Sequence, residues 1–154
     1  MANEKKKDFN KMLNEPMEVK IVTLEGEQAA RWGGSTMVIA PKKEYDAIIK
    51  TIPKGKLVTT AELRSCLAKR YHTDITCPLT AGIFTNICAW ASYQRSEDIT
   101  PFWRVLKAKG ELNLKFPEYP TLQTKLLEEE GFEIVQKRNR YFVKDFEDSI
   151  IQPE

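Results

Sequence analysis

Three cysteines, a single histidine and an adjacent aromatic pair hold most of the reactive potential of this 154-residue chain. Cys77 falls near a predicted helix start, where the helix dipole favours a thiolate. Cys66 and Cys88 occupy apolar helix positions, the usual setting of inert structural thiols. No CxxC pair is present and His72 is the only histidine, so the spacing predicts no zinc or other metal site. The odd cysteine count and an N-terminus without an apolar leader predict reduced thiols and a cytoplasmic protein. The aromatic pair lies in the stretch TPFWRVLKAKG, residues 100–110. Phe102 and Trp103 bring a large apolar area and one indole donor, which either closes a core or lines a pocket.

The elements that must position these residues are mainly α-helical with small β segments. Residues 1–16 read as a solvated tail or a short helix ending before Pro16. Val19, Ile21 and Val22 suggest an extended segment, and Leu24 to Trp32 a helix stopped by Gly33-Gly34, with Trp32 as a core residue. Tyr45, Ile48 and Ile49 predict an amphipathic helix over 42–51, broken by Pro53 and Gly55. Thr59 and Glu62 have capping-box spacing. Leu63 and Leu67 form the stripe of the helix that follows, with Arg64, Lys69 and Arg70 outside it. His72-Thr73-Asp74 is the turn. The next helix starts near Thr76 and Pro78, since proline fits a first turn. Leu79, Ile83, Ile87 and Trp90 are its expected core stripe, with Thr80, Ala81, Gly82 and Thr85 off that stripe. These two helices are a helix-turn-helix candidate. Residues 92–99 read as a polar loop, and Lys109-Gly110 as a turn between short extended segments. Leu122, Leu126 and Leu127 define a last helix capped by Gly131. Residues 132–135 and 141–143 form a hairpin around Lys137–Arg140, its charged tip read as a solvated turn.

The length predicts one domain, and 42% apolar residues suffice for a core. Residues 41–115 hold thirteen basic and seven acidic side chains, while residues 116–154 hold five and nine. The middle of the chain is therefore basic, which permits a polyanion partner without demanding one. No run approaches the length of a membrane span.

The order helix, Ile52-Pro53-Lys54-Gly55, helix-turn-helix with Gly82, Pro101-Phe102-Trp103-Arg104-Val105, Gly110, and Leu126-Leu127 with Glu130-Gly131 resembles a known family. It is similar to the C-terminal domain of methylated-DNA–protein-cysteine methyltransferases and of the alkyltransferase-like proteins. The resemblance covers residues 41–131 and leaves an N-terminal extension, 1–40, that packs on the domain, and a C-terminal hairpin and tail, 132–154. It implies a winged helix-turn-helix that binds the DNA minor groove and rotates an alkylated guanine out of the stack. The family's enzymes transfer the alkyl group to the cysteine of P-C-H-R-V. Here Phe102 stands at that cysteine and cannot accept an alkyl group by displacement. Trp103 stands at the histidine and offers only a donor. Glu130 matches the family's glutamate, its partners lost. The resemblance further aligns Thr60 with the base-rotating tyrosine and Leu79 with the intercalating arginine. A leucine wedges between bases as apolar side chains do in minor-groove binders, but supplies no charge.

These features imply a non-enzymatic, cofactor-free, monomeric protein that binds double-stranded DNA, plain or alkylated, and senses damage without repairing it. Its expected contacts are Lys54, Lys56, Thr60, Leu79, Thr80, Lys107 and Lys109. Phe102, Trp103, Arg104 and Glu130 would form a pocket that stacks on an extruded base, worth about 1–3 kcal/mol. Two alternatives stay open: a residual alkyl acceptor using Cys77, and a fold reused for a small ligand or a protein partner. Lysines clustered around the second helix of the pair favour DNA, and dispersed lysines favour another partner.

Overall fold

The computed structural model describes residues 7–154. Lys5 and Lys6 of the lysine run lie outside the described residues. The chain runs through α1 (Phe9–Asn14), β1 (Lys20–Thr23), α2 (Gly26–Trp32), β2 (Thr36–Ile39), α3 (Lys42–Lys50), β3 (Val58–Thr59), α4 (Thr60–Arg70), β4 (Ile75–Thr76) and α5 (Pro78–Gln94). It continues through a 3-10 turn (Phe102–Arg104), β5 (Val105–Leu106), a second such turn (Ala108–Gly110), α6 (Thr121–Glu129), β6 (Ile134–Lys137), β7 (Arg140–Val143) and a third turn (Phe146–Ser149). The fold is mainly helical with three small sheets.

Local chemistry sets the helix-turn-helix pair. Thr59 caps α4 and Glu62 returns the bond to the Thr59 amide, so the capping box forms as its spacing requires. Leu63 and Leu67 are fully buried beneath it. Pro78 opens α5 directly after Cys77. The connection between the helices is more than a turn. It contains β4, which pairs in parallel with β2 at Met37↔Ile75 and Val38↔Thr76, and β2 pairs antiparallel with β1. The Asp74 carboxylate accepts bonds from the Ser35 and Thr36 amides at 2.9 and 3.1 Å. The N-terminal strands are thereby fastened to the turn of the helix pair.

The main core lies between α1, α3, α4 and α5. Phe9 and Leu13 of α1 are buried, and the Phe9 ring stacks on Trp90 with centroids 5.5 Å apart. Residues 9–14 thus form the short helix ending before Pro16, docked on the core through Phe9 and Leu13, rather than a solvated tail. Conversely, α2 buries none of its residues, so Trp32 is half-exposed and outside the core. The polar stretch after Ala91 does not become a loop at once: α5 continues to Gln94, and Ser92 is buried.

The face of α5 is the largest departure from the periodicity reading. Ile87 and Trp90 are buried, but Leu79 is 67% exposed and Ile83 56%. The core side at the start of the helix is Ala81, Phe84 and Thr85. Phe84 packs edge-on against Tyr45 of α3, with ring centroids 5.8 Å apart. On the other side, α1 covers only the C-terminal half of α5, through Trp90 and Ala91. The apolar stripe therefore continues past the end of its cover.

β3 and β5 form a short parallel ladder, Val58↔Val105 and Thr59↔Leu106. The β6–β7 hairpin pairs from Ile134↔Val143 to Lys137↔Arg140. It packs Val143 with Leu57, Leu106, Leu112 and Leu127 in a second core cluster.

Candidate nucleic-acid interface

The three sequence motifs that flank the helix pair converge on one carboxylate. Glu130 Oε1 accepts from the Gly55 amide at 2.9 Å. Its Oε2 accepts from the Trp103 indole at 2.6 Å and from the Arg104 guanidinium at 2.8 Å. Arg104 also donates to the Ile52 carbonyl at 2.7 Å and lies over the Trp103 ring, 5.3 Å from its centroid. Gly55 aims its amide here from φ +82°, a left-handed conformation that favours glycine. The Glu130 and Arg104 side chains are only 6% and 14% exposed. Burial works to raise the pKa of Glu130, but the bonds from Arg104, Gly55 and Trp103 outweigh it and hold the carboxyl below its ordinary value. Glu130 has therefore not lost its partners. Trp103 has become one of them, and the donors around both oxygens leave the group suited to a clamp rather than to a general base.

Phe102 resolves to the core side of its two readings. Its ring is 3% exposed and meets Trp103 and Phe116 edge-on, at 5.5 and 5.4 Å between centroids. Ala89 and Leu122 complete the enclosure. Its faces are occupied by protein, so it does not line an open stacking pocket. Burying such a ring contributes about 1.5–3 kcal/mol. Trp103 packs against both this cluster and the hairpin cluster, joining them.

The segment entering Phe102 is held just as firmly. Thr100 is fully buried. Its amide donates to Ser92 Oγ at 2.9 Å, and its hydroxyl donates to Asp46 at 2.7 Å and accepts from Arg95 at 2.8 Å. Gln123 supports the other side, donating to the Trp103 and Val105 carbonyls at 3.2 Å and accepting from the Asn113 amide at 3.2 Å.

The predicted DNA contacts fall at three places. Thr60 is the first residue of α4, half-buried, and Lys107 follows β5 as Thr60 follows β3, so these two lie at one end of the ladder. Lys109 is exposed at the tip beyond it. Lys54 and Lys56 are exposed at the opposite end, on either side of Gly55. On α5, Leu79 projects into solvent and Thr80 turns its hydroxyl back to the Cys77 carbonyl at 3.4 Å. From Pro78 to Gln94 the helix carries no charged side chain. The structure thus gathers Thr60 with Lys107 and Lys109, and sets Lys54 and Lys56 apart.

All three cysteines are buried free thiols. Burial pushes the Cys88 thiol well up. Cys77 precedes α5 but is 6% exposed, which denies an attacking thiolate the access it needs. Among the described residues no group of three or more histidine, cysteine or carboxylate side chains is placed to hold a metal ion, and no helix is long and apolar enough to cross a membrane.

No protein-family model and no curated protein sequence matches this chain. Among solved structures it is similar to S. pombe Atl1 in complex with damaged DNA containing O6-carboxymethylguanine. The identity is 24%, over 72% of this chain and 93% of that chain, with a TM-score of 0.47. It is also similar to S. pombe ATL in complex with DNA, at 23% identity, the same coverage and a TM-score of 0.48.

Three positioning groups were not evident from the sequence motifs. The Gly55 amide leaves no side-chain signal. Thr100 meets Asp46 across 54 residues, beyond the reach of local patterning. Gln123 carried a usable signal: it stands four residues before Leu127 and so shares its inward face.

Proposed function

We propose that this protein binds double-stranded DNA without catalysing a reaction on it, through the exposed start of α5 and the lysines of the β5 tip. The observation that carries this reading is the pair Leu79 and Ile83, exposed on an uncharged helix face with Thr80 and Gly82 between them. Apolar side chains on such a face wedge between base steps in the minor groove, and the small residues let the backbone approach. Lys107 and Lys109 supply phosphate contacts on the Thr60 side. Lys54 and Lys56 are the weaker arm, because they lie at the far end of the ladder.

Alkyl transfer does not enter this proposal. Phe102 offers no nucleophile, Glu130 is bound by three donor residues, and Cys77 is enclosed. The deciding experiment is a fluorescence-anisotropy salt titration with matched duplexes, one plain and one containing an alkylated guanine. Binding that weakens steeply with salt supports the reading, because each neutralised phosphate releases counterions. Absence of binding to either duplex at low salt ends it. A tighter curve for the alkylated duplex adds lesion sensing. Coincident curves leave duplex binding alone, the outcome favoured by the filled Phe102 site.

A second reading is a protein partner docked on the same α5 face. The absence of charge along α5 favours it. It predicts binding partners whose association is insensitive to salt, together with no affinity for duplex.

A further inference from the structure

The C-terminal hairpin is not an independent appendage. The tip after β5 is closed by the Lys107 amide donating to the Glu111 carbonyl at 2.8 Å. Immediately beyond, Glu111 bridges antiparallel to Phe142 of β7, and the Leu112 amide donates to the Tyr141 carbonyl at 2.9 Å. The Arg140 guanidinium donates to the Glu111 carboxylate at 2.8 Å. Gly110, at φ +80°, lies so close to the turn after β7 that an added Cβ would meet the Phe146 ring at 2.5 Å. Backbone pairing, an ion pair and ring contact therefore hold the β5 tip and the hairpin together.

This arrangement changes the meaning of the hairpin's basic turn. Lys109 from the β5 tip and Lys137, Arg140 and Lys144 from the hairpin line one open groove of about 390 Å³. Asp145 and Glu147 line it as well. Two of the four cations are committed: Arg140 to Glu111, and Lys144 to Glu133 at 3.5 Å. Lys109 and Lys137 have no ion-pair partner among the described residues, nor has Arg138 at the hairpin tip. Lys137 and Arg140 both lie over the Phe142 ring, at 5.7 and 5.6 Å, which orders them without neutralising their charge. Lys109 and Arg138 adopt left-handed backbones, φ +65° and +59°, conformations uncommon for such side chains. Two tight turns of one body thus each present a cation.

We propose that the hairpin is a second wing. In this arrangement Lys137 and Arg138 continue the phosphate-binding surface begun by Lys107 and Lys109, and the two tips together hold the backbone of one DNA duplex. This rests on the duplex-binding reading above and extends it to residues 132–144, outside the motifs that suggested that reading. The ligand is the polyanionic backbone, so the contact carries no base preference.

The test compares three forms of the full chain on one plain duplex: wild type, K137Q/R138Q, and the charge-matched control K11Q/K43Q on exposed positions of α1 and α3. The logarithm of affinity is followed against the logarithm of salt concentration. Two lost phosphate contacts make the slope shallower by about 1.8 and weaken binding at low salt by on the order of tenfold. The control should match wild type. K137Q alone, at an ordinary strand position, should give about half of the slope change, and unchanged thermal midpoints show that the variants are folded. Wild-type slope and affinity in K137Q/R138Q overturn the second wing while leaving duplex binding intact. An equal loss in the control also overturns it, because general charge then explains the effect. If wild type binds no duplex, the underlying DNA reading fails first.

Discussion

Trp103 Nε1 donates to Glu130 Oε2 at 2.6 Å, across 27 residues of chain. In the family that the motifs resemble, the corresponding pair activates a thiol. Here the same two positions form a closed bond with Arg104 as the third member. The three side chains make a structural joint, which ties the helix pair's strand ladder to α6.

That joint should show in stability. Trp103→Phe keeps most of the apolar packing and removes the donor. Hydrogen bonds to charged groups are worth about 1.5–3 kcal/mol, and the urea midpoint should fall accordingly. Glu130→Ala should cost more, about 3–5 kcal/mol, because it leaves Arg104 buried and unpaired. Equal midpoints for wild type and both variants would show the joint to be energetically idle.

The same carboxylate sets a pH dependence. Glu130 is held below its ordinary value: burial opposes this, but the bonds from Arg104, Gly55 and Trp103 prevail. Glu111 is lowered too, by the Arg140 hydrogen bond first, against burial. Between the folded and unfolded values, the unfolded chain binds more protons, so stability rises with pH. The contribution is complete above the unfolded glutamate value of about 4.3 and is lost as pH falls through the lowered folded values. Denaturation midpoints measured from neutral pH into this acid range should fall less steeply in Glu130→Gln than in wild type.

How far the sequence led follows from the range of the interactions. The capping box at Thr59 and Glu62 and proline at the start of α5 are local, and each formed where its residues required; the β6–β7 hairpin formed too, but its strands run on to pair Lys137 with Arg140, so the turn is only Arg138-Asn139. The periodicity of α5 does not give its buried face, because Leu79 and Ile87 have the same spacing whether or not a neighbour covers them. α1 covers only the later one's end of the helix, and nothing in the α5 sequence encodes that. The partners of Glu130 come from Gly55 and from Trp103-Arg104, 75 and about 26 residues away. A backbone amide and an indole replacing an imidazole do not advertise themselves in a motif. The bond between these segments appears only in three dimensions.

Phe102 tests the core assignment. Phe102→Ala should destabilise by about 3–5 kcal/mol, the usual cost of removing a buried ring. Phe102→Cys restores a sulfur at the position that resembles the acceptor, but not a base beside it, since Trp103 only donates. Intact-mass spectrometry after incubation with alkylguanine duplex should show no alkyl adduct. An adduct would mean that the site opens more readily than its 3% exposure suggests.

The N-terminal helix offers a separate test of the main core. Phe9 is 5% exposed and Leu13 is 4%. Phe9→Ala should therefore cost about 3–5 kcal/mol, and Trp90 fluorescence should report the lost stacking. A truncation beginning at residue 15 should be destabilised further. A solvated tail would leave the melting midpoint unchanged in both.

Leu79 separates function from folding. At 67% exposure, its replacement should shift stability by no more than about 0.5 kcal/mol. If its side chain enters the minor groove, Leu79→Ala should weaken duplex binding while leaving the salt slope unchanged, because no phosphate contact is lost. Leu79→Arg should steepen the slope by about 0.9, one added phosphate neutralised, or gain affinity through a base contact. A protein partner on the same face predicts the opposite pattern: Leu79→Ala weakens that partner's binding and Leu79→Arg abolishes it, with no duplex binding in any form. Anisotropy titrations of the three forms, read alongside their melting midpoints, distinguish these outcomes, because the exposed position decouples the contact from the core.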